Sequence, residues 1–162
     1  MAVVTAYNIL LNQEDAEEIA QDAFIKAFNA IDTFKSEARF STWLYRIVVN
    51  TALNKKKLQK PFAMEITEGH EDFFSVSARE SLSVQITSEH RKHIQAALQC
   101  LGINERLCIT LYYLNEFKME EIQQVMGLSV ANIKVLLHRG RKNLYIALEK
   151  SLQKELIYLM QQ

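Results

Sequence analysis

Residues 119–144 run MEEIQQVMGLSVANIKVLLHRGRKNL and carry the clearest structural pattern in the chain. The apolar spacing predicts a short helix from Met119 to Met126 and a longer one from Val130 to about Leu148. Between them, Gly127 can adopt the positive φ of a tight turn, and Ser129 can cap the second helix. This segment therefore predicts a helix-turn-helix.

The second helix of this pair combines a packing side with a cationic side. Ile133, Leu137 and Leu144 share one side, whereas no acid appears anywhere between residues 130 and 148. In a helix-turn-helix the second helix enters the major groove, where Arg and Lys donate to guanine or to phosphate. The alternative is a solvated face without a ligand. The shortage of acids favours DNA as the partner.

Two further helices are predicted upstream. Residues 14–31 place small and apolar side chains at three- and four-residue spacings, which predicts an amphipathic helix with an acidic outer face. The segment from Ser41 to Leu58 predicts the second helix, with Leu44, Ile47, Val48 and Thr51 facing inward. The side chains of the first helix that are expected to face inward are Ala16, Ile19, Ala20, Ala23, Phe24, Ala27, Phe28 and Ile31.

The second of these helices begins with an aromatic and basic cluster that includes Trp43 and Arg46. Aromatic rings near cations can bind unstacked bases, but for a single aromatic such as Trp43 or Tyr45 a place in the core is the favoured interpretation. Asn50 and Asn54 lie one turn apart, so their amides point the same way and can read base edges.

The composition favours helices throughout, because the 162 residues include only one Pro and four Gly. Across residues 61–90 the periodicity fades into a segment rich in acidic and hydroxyl side chains. This predicts an all-α protein of two small helical domains, residues 1–60 and 91–162, joined by a linker at 61–90. The first helix of the second domain is expected to begin near Ser88. After a turn at Gly102, another helix is expected to run through Leu107, Leu111 and Leu114.

The formal net charge is zero, but the charges are unevenly distributed. Residues 35–60 contain seven Lys or Arg against Glu37 alone, and residues 134–142 contain four against no acid. Two basic patches separated by acidic stretches fit a nucleic-acid partner better than the net charge alone does.

Neither a membrane span nor a secretory signal is predicted, which indicates a cytoplasmic protein. Cys100 and Cys108 have neither redox-pair nor zinc-ligand spacing and are expected to be buried free thiols. The acidic residues from Glu17 to Asp22 lack a His at a ligand spacing, so a carboxylate metal site there is disfavoured. No catalytic residue, metal or cofactor is predicted.

Two segments together resemble the sigma-70 family, in its extracytoplasmic-function (ECF) group. DAEEIAQDAFIKAF followed by FSTWLYRIVVNTALN is similar to sigma region 2, and MEEIQQVMGLSVANIKVLLHRGRKNL is similar to region 4. Two motifs in this order, separated by a linker, are more specific than either alone. The resemblance implies a region 2 helical bundle and a region 4 helix-turn-helix. It also implies a non-enzymatic initiation factor that directs core RNA polymerase to specific promoters and assists their opening.

The resemblance further implies three sets of binding residues. Those facing the clamp helices of the largest polymerase subunit are Glu18, Gln21, Asp22 and Lys26. Those at the minus-ten element are Trp43, Arg46, Asn50, Asn54 and Lys56. Those at the minus-thirty-five element are Asn132, Lys134, Val135, His138, Arg139 and Arg141. Further implied partners are the polymerase flap and an anti-sigma factor that covers both domains.

The chain departs from the family pattern at several positions. Many members have Asp where this chain has Asn54, and Ser-Arg where it has Val135-Leu136, so the promoter sequence does not follow from these positions. The chain also begins only a few residues before the first matching helix, which suggests an incomplete N-terminus. Two rivals remain: a stand-alone helix-turn-helix regulator that binds an operator as a dimer, and a helical enzyme with carboxylates at Glu17 to Asp22.

Overall fold

A computed structural model describes the backbone of residues 2–59 and 82–160, and the side chains of residues 2–59 and 91–153. Within these ranges every regular element is helical, as predicted. The α-helices are α1 (Ala2–Leu10), α2 (Gln13–Asn29), α3 (Phe40–Gln59), α4 (Leu82–Gln99), α5 (Ile103–Ile109), α6 (Met119–Met126) and α7 (Val130–Met160). A short 3-10 turn, Ile31–Thr33, follows α2, and a π-helical turn, Thr110–Leu114, extends α5.

Helices α1, α2 and α3 pack against one another as a three-helix unit, called here the N-terminal bundle. Asn12 caps α2, because its Oδ1 accepts a hydrogen bond from the Asp15 amide at 2.9 Å. The side of α2 that faces inward is mostly alanine, which lets the neighbouring helices approach closely. Its buried residues are Ala16, Ile19, Ala20, Ala23 and Ala27.

The prediction that Phe24, Phe28 and Ile31 face inward is wrong. Phe24 is 52 % exposed and Phe28 is 79 % exposed, and Ile31 is also exposed. Each Phe directly follows a buried alanine, and one residue turns the side chain by roughly 100° around the helix. Apolar spacing alone did not distinguish the buried row of alanines on α2 from the neighbouring row that contains the exposed Phe24 and Phe28.

Two other features of the N-terminal bundle differ from expectation. Helix α1 was not predicted, yet it contributes Ala6 and Ile9 to the core. In α3, Val48 and Thr51 are buried as predicted, whereas Leu44 and Ile47 are only half-buried. Tyr45 is buried, so the core interpretation of this aromatic is correct.

Helices α4 to α7 form the second unit, called here the C-terminal domain. Helix α6 has the predicted bounds and ends at Gly127, whose φ of 67° is the left-handed value that the turn requires. Ser129 caps α7 as predicted, since its Oγ lies 3.3 Å from the Asn132 amide. Gly140 permits close packing, because a Cβ there would lie 3.0 Å from Cγ1 of Ile109 in α5.

Three helix ends in this domain differ from the prediction. Helix α4 begins at Leu82, inside the predicted linker and before Ser88. The regular α-helical geometry of α5 ends at Ile109, and α7 continues past Leu148. Residues 61–81 of the predicted linker lie outside the described residues.

The N-terminal bundle and the C-terminal domain contact each other, with α1 against α5 and α3 against α6. One buried cluster runs through both units and includes Val48 and Ile122. Polar side chains also cross the contact. Asn8 Nδ2 donates to Thr110 Oγ1 at 3.0 Å, Asn115 Nδ2 donates to Tyr45 Oη at 2.7 Å, and Gln99 Nε2 donates to Tyr7 Oη at 2.9 Å.

A buried cation lies near this contact. Arg106 of α5 is 3 % exposed, and its Nε and Nη1 have no hydrogen-bond partner within the described residues. Burial lowers the pKa of the Arg106 guanidinium, which the phenol of Tyr7 in α1 partly opposes. Burying guanidinium nitrogens without hydrogen-bond partners is unfavourable, so this side chain has a cost in the observed structure.

Candidate nucleic-acid and polymerase interfaces

The residues predicted to face the minus-thirty-five element lie on the N-terminal half of α7, beyond the turn at Gly127. All six are exposed: Asn132, Lys134, Val135, His138, Arg139 and Arg141. Ile133 and Leu137 on the opposite side are buried in the core. The packed side thus holds the helix in place and leaves its cationic side open.

At roughly 100° per residue, these six residues form two stripes on α7. One stripe contains Asn132, Val135 and Arg139, and the other contains Lys134, His138 and Arg141. In the second stripe, Arg141 Nε donates to the Leu137 carbonyl at 3.2 Å, so this side chain lies along its own helix.

The first stripe is linked to α5 by a residue that was not predicted. Glu105 Oε1 lies 3.2 Å from Nε of Arg139, and Glu105 Oε2 accepts a hydrogen bond from Asn143 Nδ2 at 2.8 Å. The Glu105 side chain is only 8 % exposed. These contacts of Glu105 were not predictable from the sequence, because a Glu in the first turn of a helix is usually explained by its interaction with the helix dipole.

Four of the five residues predicted for the minus-ten element share one exposed side of α3. Trp43, Arg46, Asn50 and Asn54 follow one another at spacings of three, four and four residues, which brings them onto one face. Trp43 is half-buried and the other three are exposed.

Trp43 belongs to a group of three aromatic rings. Its ring centroid lies 5.4 Å from that of Phe34 and 5.6 Å from that of Phe40. A cleft of about 310 Å³ beside this group is lined by Phe34, Trp43 and Arg46, and by Gln124 of α6. An aromatic floor with a cation at its edge is a suitable surface for an unstacked base.

Lys56, the fifth of these residues, lies elsewhere. It follows Asn54 by two residues and therefore points roughly 200° away around α3. Its Nζ donates to the Leu10 carbonyl at 3.3 Å. Lys56 instead lines a second cleft, of about 480 Å³, together with Lys57 and Arg139. The structure thus brings Lys56 toward α7 and away from Trp43.

The residues predicted to face the polymerase, Glu18, Gln21, Asp22 and Lys26, are exposed on one side of α2. Phe24, Ile25 and Phe28 are exposed on the same helix. The result is a mixed apolar and charged surface. Such a mixture is typical of protein interfaces.

One edge of this surface is already engaged within the chain. Lys55 Nζ lies 2.8 Å from Asp15 Oδ1 and also donates to the carboxylate of Glu18. Hydrogen bonds from Lys55 and Gln59 lower the pKa of Asp15, and the bonds to Asp15 and Glu18 raise the pKa of Lys55. Lys55 is therefore a structural cation rather than an open phosphate contact.

The described residues contain neither a cluster of metal ligands nor a membrane-spanning helix. No three His, Cys, Asp or Glu side chains gather there as metal ligands would. No helix in the described part of the chain is long and apolar enough to span a membrane. Of the two cysteines, Cys108 is buried as predicted, but Cys100 is exposed.

Comparisons with known proteins bear on both units. The family model "Sigma-70 region 2" matches residues 2–61, and "Sigma-70, region 4" matches residues 91–144. The chain belongs to the sigma-70 family, in its extracytoplasmic-function group. The sigma factor is 34 % identical over 145 residues to the ECF RNA polymerase sigma factor SigW of Bacillus subtilis, across 85 % of this chain and 78 % of that relative. It is 33 % identical over 135 residues to the ECF RNA polymerase sigma-E factor of Escherichia coli, across 79 % of this chain and 71 % of that relative.

Solved structures give the same fold for the sigma factor. The sigma factor RpoE, in complex with the anti-sigma factor NepR from Bartonella quintana, superposes with a TM-score of 0.69 at 19 % identity, over 91 % of this chain and 89 % of that one. CnrH, in complex with the cytosolic domain of CnrY, superposes with a TM-score of 0.64 at 20 % identity, over 92 % and 80 %. These structures confirm the predicted all-α fold, and the family models and curated relatives confirm the predicted family and sigma-factor function.

Proposed function

We propose that this sigma factor reads a promoter with two separate surfaces, the cationic side of α7 and the aromatic and amide side of α3. The observation that carries the proposal is that both surfaces are exposed on one chain, and that each is fixed by a packed opposite side. Neither surface alone distinguishes promoter reading from general DNA binding. Together they fit a factor that binds one element as duplex and opens another.

Helix α7 is the reader of the minus-thirty-five element in this proposal. Its N-terminal residues would contact base edges in the major groove, and its cations would contact bases and phosphates. The exposure of Lys134, His138 and Arg139 supports this role. The exposed Val135 can contact a thymine methyl group, which is an apolar feature of the same groove.

Helix α3 is the reader of the minus-ten element. Stacking of one base on an aromatic ring contributes about 1–3 kcal/mol, which is comparable with the cost of unstacking that base. Trp43 is suited to this stacking because its ring packs against Phe34 and Phe40, which restrict its position. Asn50 and Asn54 can both donate to and accept from the edges of the opened bases.

The mixed surface of α2 is the contact for core RNA polymerase, on the clamp helices of its largest subunit, and the C-terminal domain contacts the flap. Gln21, Asp22 and Lys26 supply polar contacts beside Phe24 and Phe28, whose exposure otherwise has no explanation. An anti-sigma factor is a further proposed partner, supported by the similar solved structure in which the sigma factor RpoE is in complex with the anti-sigma factor NepR. We further propose that the protein is cytoplasmic and has no enzymatic activity.

Reading both elements together requires the two units to separate. The names of the elements place them about 25 base pairs apart, which is about 85 Å at 3.4 Å per base pair. A compact chain of this length has a radius of gyration of about 15 Å. The closed arrangement, in which α1 contacts α5 and α3 contacts α6, is therefore too short to reach both elements.

The decisive experiment is transcription by sigma-free core polymerase on genomic DNA fragments, with and without the purified chain. A transcript with a defined start supports the proposal and yields the promoter. Failure to bind core, with protection of a palindromic site by the protein alone, would favour the stand-alone regulator instead. The family matches to both halves of the chain do not favour that alternative.

A pair of variants then tests the role of α7. Lys134→Ala should weaken binding to minus-thirty-five duplex and reduce the slope of its salt dependence by about one charge. Lys150→Ala is the matched control, because this exposed Lys lies on the same helix but far from its N-terminal half. Equal effects of the two variants would refute a specific role for the Lys134 side of α7.

A further inference from the structure

We propose that Glu105 is a positioning residue that fixes Arg139 for a base-specific contact in the major groove. The proposal rests on the proposed function, in which α7 meets the minus-thirty-five element. Glu105 is in α5, outside the helix-turn-helix itself, and its side chain is only 8 % exposed. Its effect on DNA would therefore pass through Arg139.

The geometry holds the Glu105 carboxylate firmly. Its side chain is 8 % exposed, and its Cβ lies under the position that a Cβ on Gly140 would occupy, at 3.5 Å. Both oxygens have a partner, Oε1 with Arg139 and Oε2 with Asn143. A buried carboxylate is unfavourable unless it is paired and hydrogen-bonded, and Arg139 and Asn143 provide these two contacts.

The same contact restricts Arg139. Its side chain is 65 % exposed, and the atom nearest to Glu105 is Nε, at the stem end of the guanidinium. The two terminal amino groups of the Arg139 guanidinium, which lie beyond Nε, are consequently the hydrogen-bond donors that remain for DNA. Two such donors on a planar group match the two acceptors that guanine presents in the major groove. A flexible Arg would lose side-chain entropy on binding, whereas a held one has already lost most of it.

Neighbouring cations on α7 lack this support. In the described part of the chain no ion pair involves Lys134 or His138, and the hydrogen bond of Arg141 is to the Leu137 carbonyl of its own helix. Lys134 can follow a phosphate as a mobile point charge. Among these cations, Arg139 is thus the one whose side chain is already held in position for a directional hydrogen bond.

A competing effect of Glu105 has the opposite sign. A carboxylate that merely neutralised Arg139 would weaken DNA binding, and its removal would increase affinity. The bond to Asn143 favours the positioning role, because it keeps Glu105 from following the guanidinium toward the DNA or blocking its outer edge.

The test measures binding of the full chain to the minus-thirty-five duplex identified by the transcription experiment, and to duplexes with each base pair changed in turn. Glu105→Gln keeps the shape and an acceptor for Asn143 but removes the charge that holds Arg139. We expect about a tenfold loss of affinity for the original duplex, within the 5- to 150-fold range of one bidentate base contact. The loss should vanish on the duplex that lacks the base pair read by Arg139. The salt slope should be unchanged, because the cation remains.

Three further variants complete the design. Arg139→Ala should show the same loss together with a salt slope reduced by about one charge, and adding Glu105→Gln to it should change nothing more. Arg139→Lys changes only an exposed side chain, so it should fold normally, and it should lose base preference while keeping the slope. Glu149→Gln, at an exposed position on α7, is the charge-matched control and should bind like the parent.

Several outcomes would overturn the proposal. Tighter binding by Glu105→Gln would identify a competitor, and a uniform loss on every duplex would identify a packing role. No effect of Arg139→Ala on any duplex would remove Arg139 from the interface and the positioning role with it. That last result is distinct from failure of the proposed function, in which the chain would give no promoter-specific transcript.

Discussion

Replacing Thr110 by Val should loosen the contact between the N-terminal bundle and the C-terminal domain. Thr110 is fully buried, and its hydroxyl accepts the hydrogen bond from Asn8 across the contact. Val has nearly the same shape, so the change removes the acceptor without opening a cavity. The buried amide of Asn8 would then lose its partner only while the two units are in contact, because water can replace Thr110 once they separate.

The size of the effect follows from the cost of an unsatisfied buried donor, about 1–3 kcal/mol. That cost falls on the closed arrangement alone. It corresponds to a shift of about 5- to 150-fold toward separated units. With a urea dependence of about 2 kcal/mol per molar for a chain of this size, the unfolding midpoint should fall by roughly 0.5–1.5 M.

Two probes can follow the units separately during urea unfolding. Trp43 is the only tryptophan in the chain, so its fluorescence reports on the N-terminal bundle. Far-ultraviolet circular dichroism reports on all helices. Coincident transitions are expected while the units unfold as one, and Thr110→Val should move the two transitions apart. Small-angle scattering of the native protein should show a larger radius of gyration in this variant.

The controls separate coupling from general loss of stability. Thr51→Val removes a buried hydroxyl whose partner, Lys26, is exposed and can be solvated, so it should have a smaller effect and leave the transitions coincident. Asn8→Leu combined with Thr110→Val removes both polar partners and should recover much of the loss. An unchanged midpoint and radius in Thr110→Val would refute the role assigned to this hydrogen bond.

Other predictions concern single groups. Asp15→Asn should lower the melting temperature at neutral pH. The pKa of Asp15 is lowered from its ordinary value of 3.8 in the folded protein, so ionised Asp15 stabilises the fold at pH values above 3.8. This stabilisation is lost as the pH falls through the pKa of Asp15 in the folded protein. The melting temperatures of parent and variant should therefore converge in acid, and a difference that stays constant would contradict the pairing of Asp15 with Lys55. Because the pKa of Lys55 is raised from 10.5, the stabilisation from this pair should be lost in alkali only above pH 10.5. In thiol labelling of the native protein, the exposed Cys100 should react and the buried Cys108 should not. Burial raises the pKa of Cys108 to about 11, which keeps its thiol protonated and unreactive. Equal labelling rates for the two cysteines would contradict the burial of Cys108. Trp43→Ala should reduce transcription from duplex promoters but much less from a template with a preformed bubble, whereas equal loss on both would indicate misfolding.

Local signals predicted the helix-turn-helix well. Helix α6 has the predicted bounds, and Gly127 and Ser129 make the predicted turn and cap. These features depend on residues within a few positions of one another, where glycine conformation and side-chain capping are decided by local chemistry. The exposed side of α7 was predictable for the same reason, since helical periodicity fixes which residues lie opposite the packed ones.

Contacts between distant residues were not predictable in this way. Asn8 and Thr110 are 102 positions apart, and Tyr45 and Asn115 are 70 apart. Polar residues inside helices give no sign of which partner they meet. Helix α1 was missed because its short apolar segment is recognisable as a helix only beside the surfaces that it covers. The same limit applies to Glu105, whose role depends on a contact with another helix.

The chemistry of the contact between the two units fits a protein that has to open. Each unit retains its own apolar core when they part, such as the alanine line of α2 in one and Leu107 with Ile133 in the other. The contact itself combines the pair Tyr45 and Phe117 with buried polar groups that water would satisfy after separation. In the closed arrangement, Nε and Nη1 of Arg106 are buried without a hydrogen-bond partner among the described residues. The free energy that separates the two arrangements is therefore smaller than the buried apolar area alone would give, and binding to polymerase and to two promoter elements can supply it.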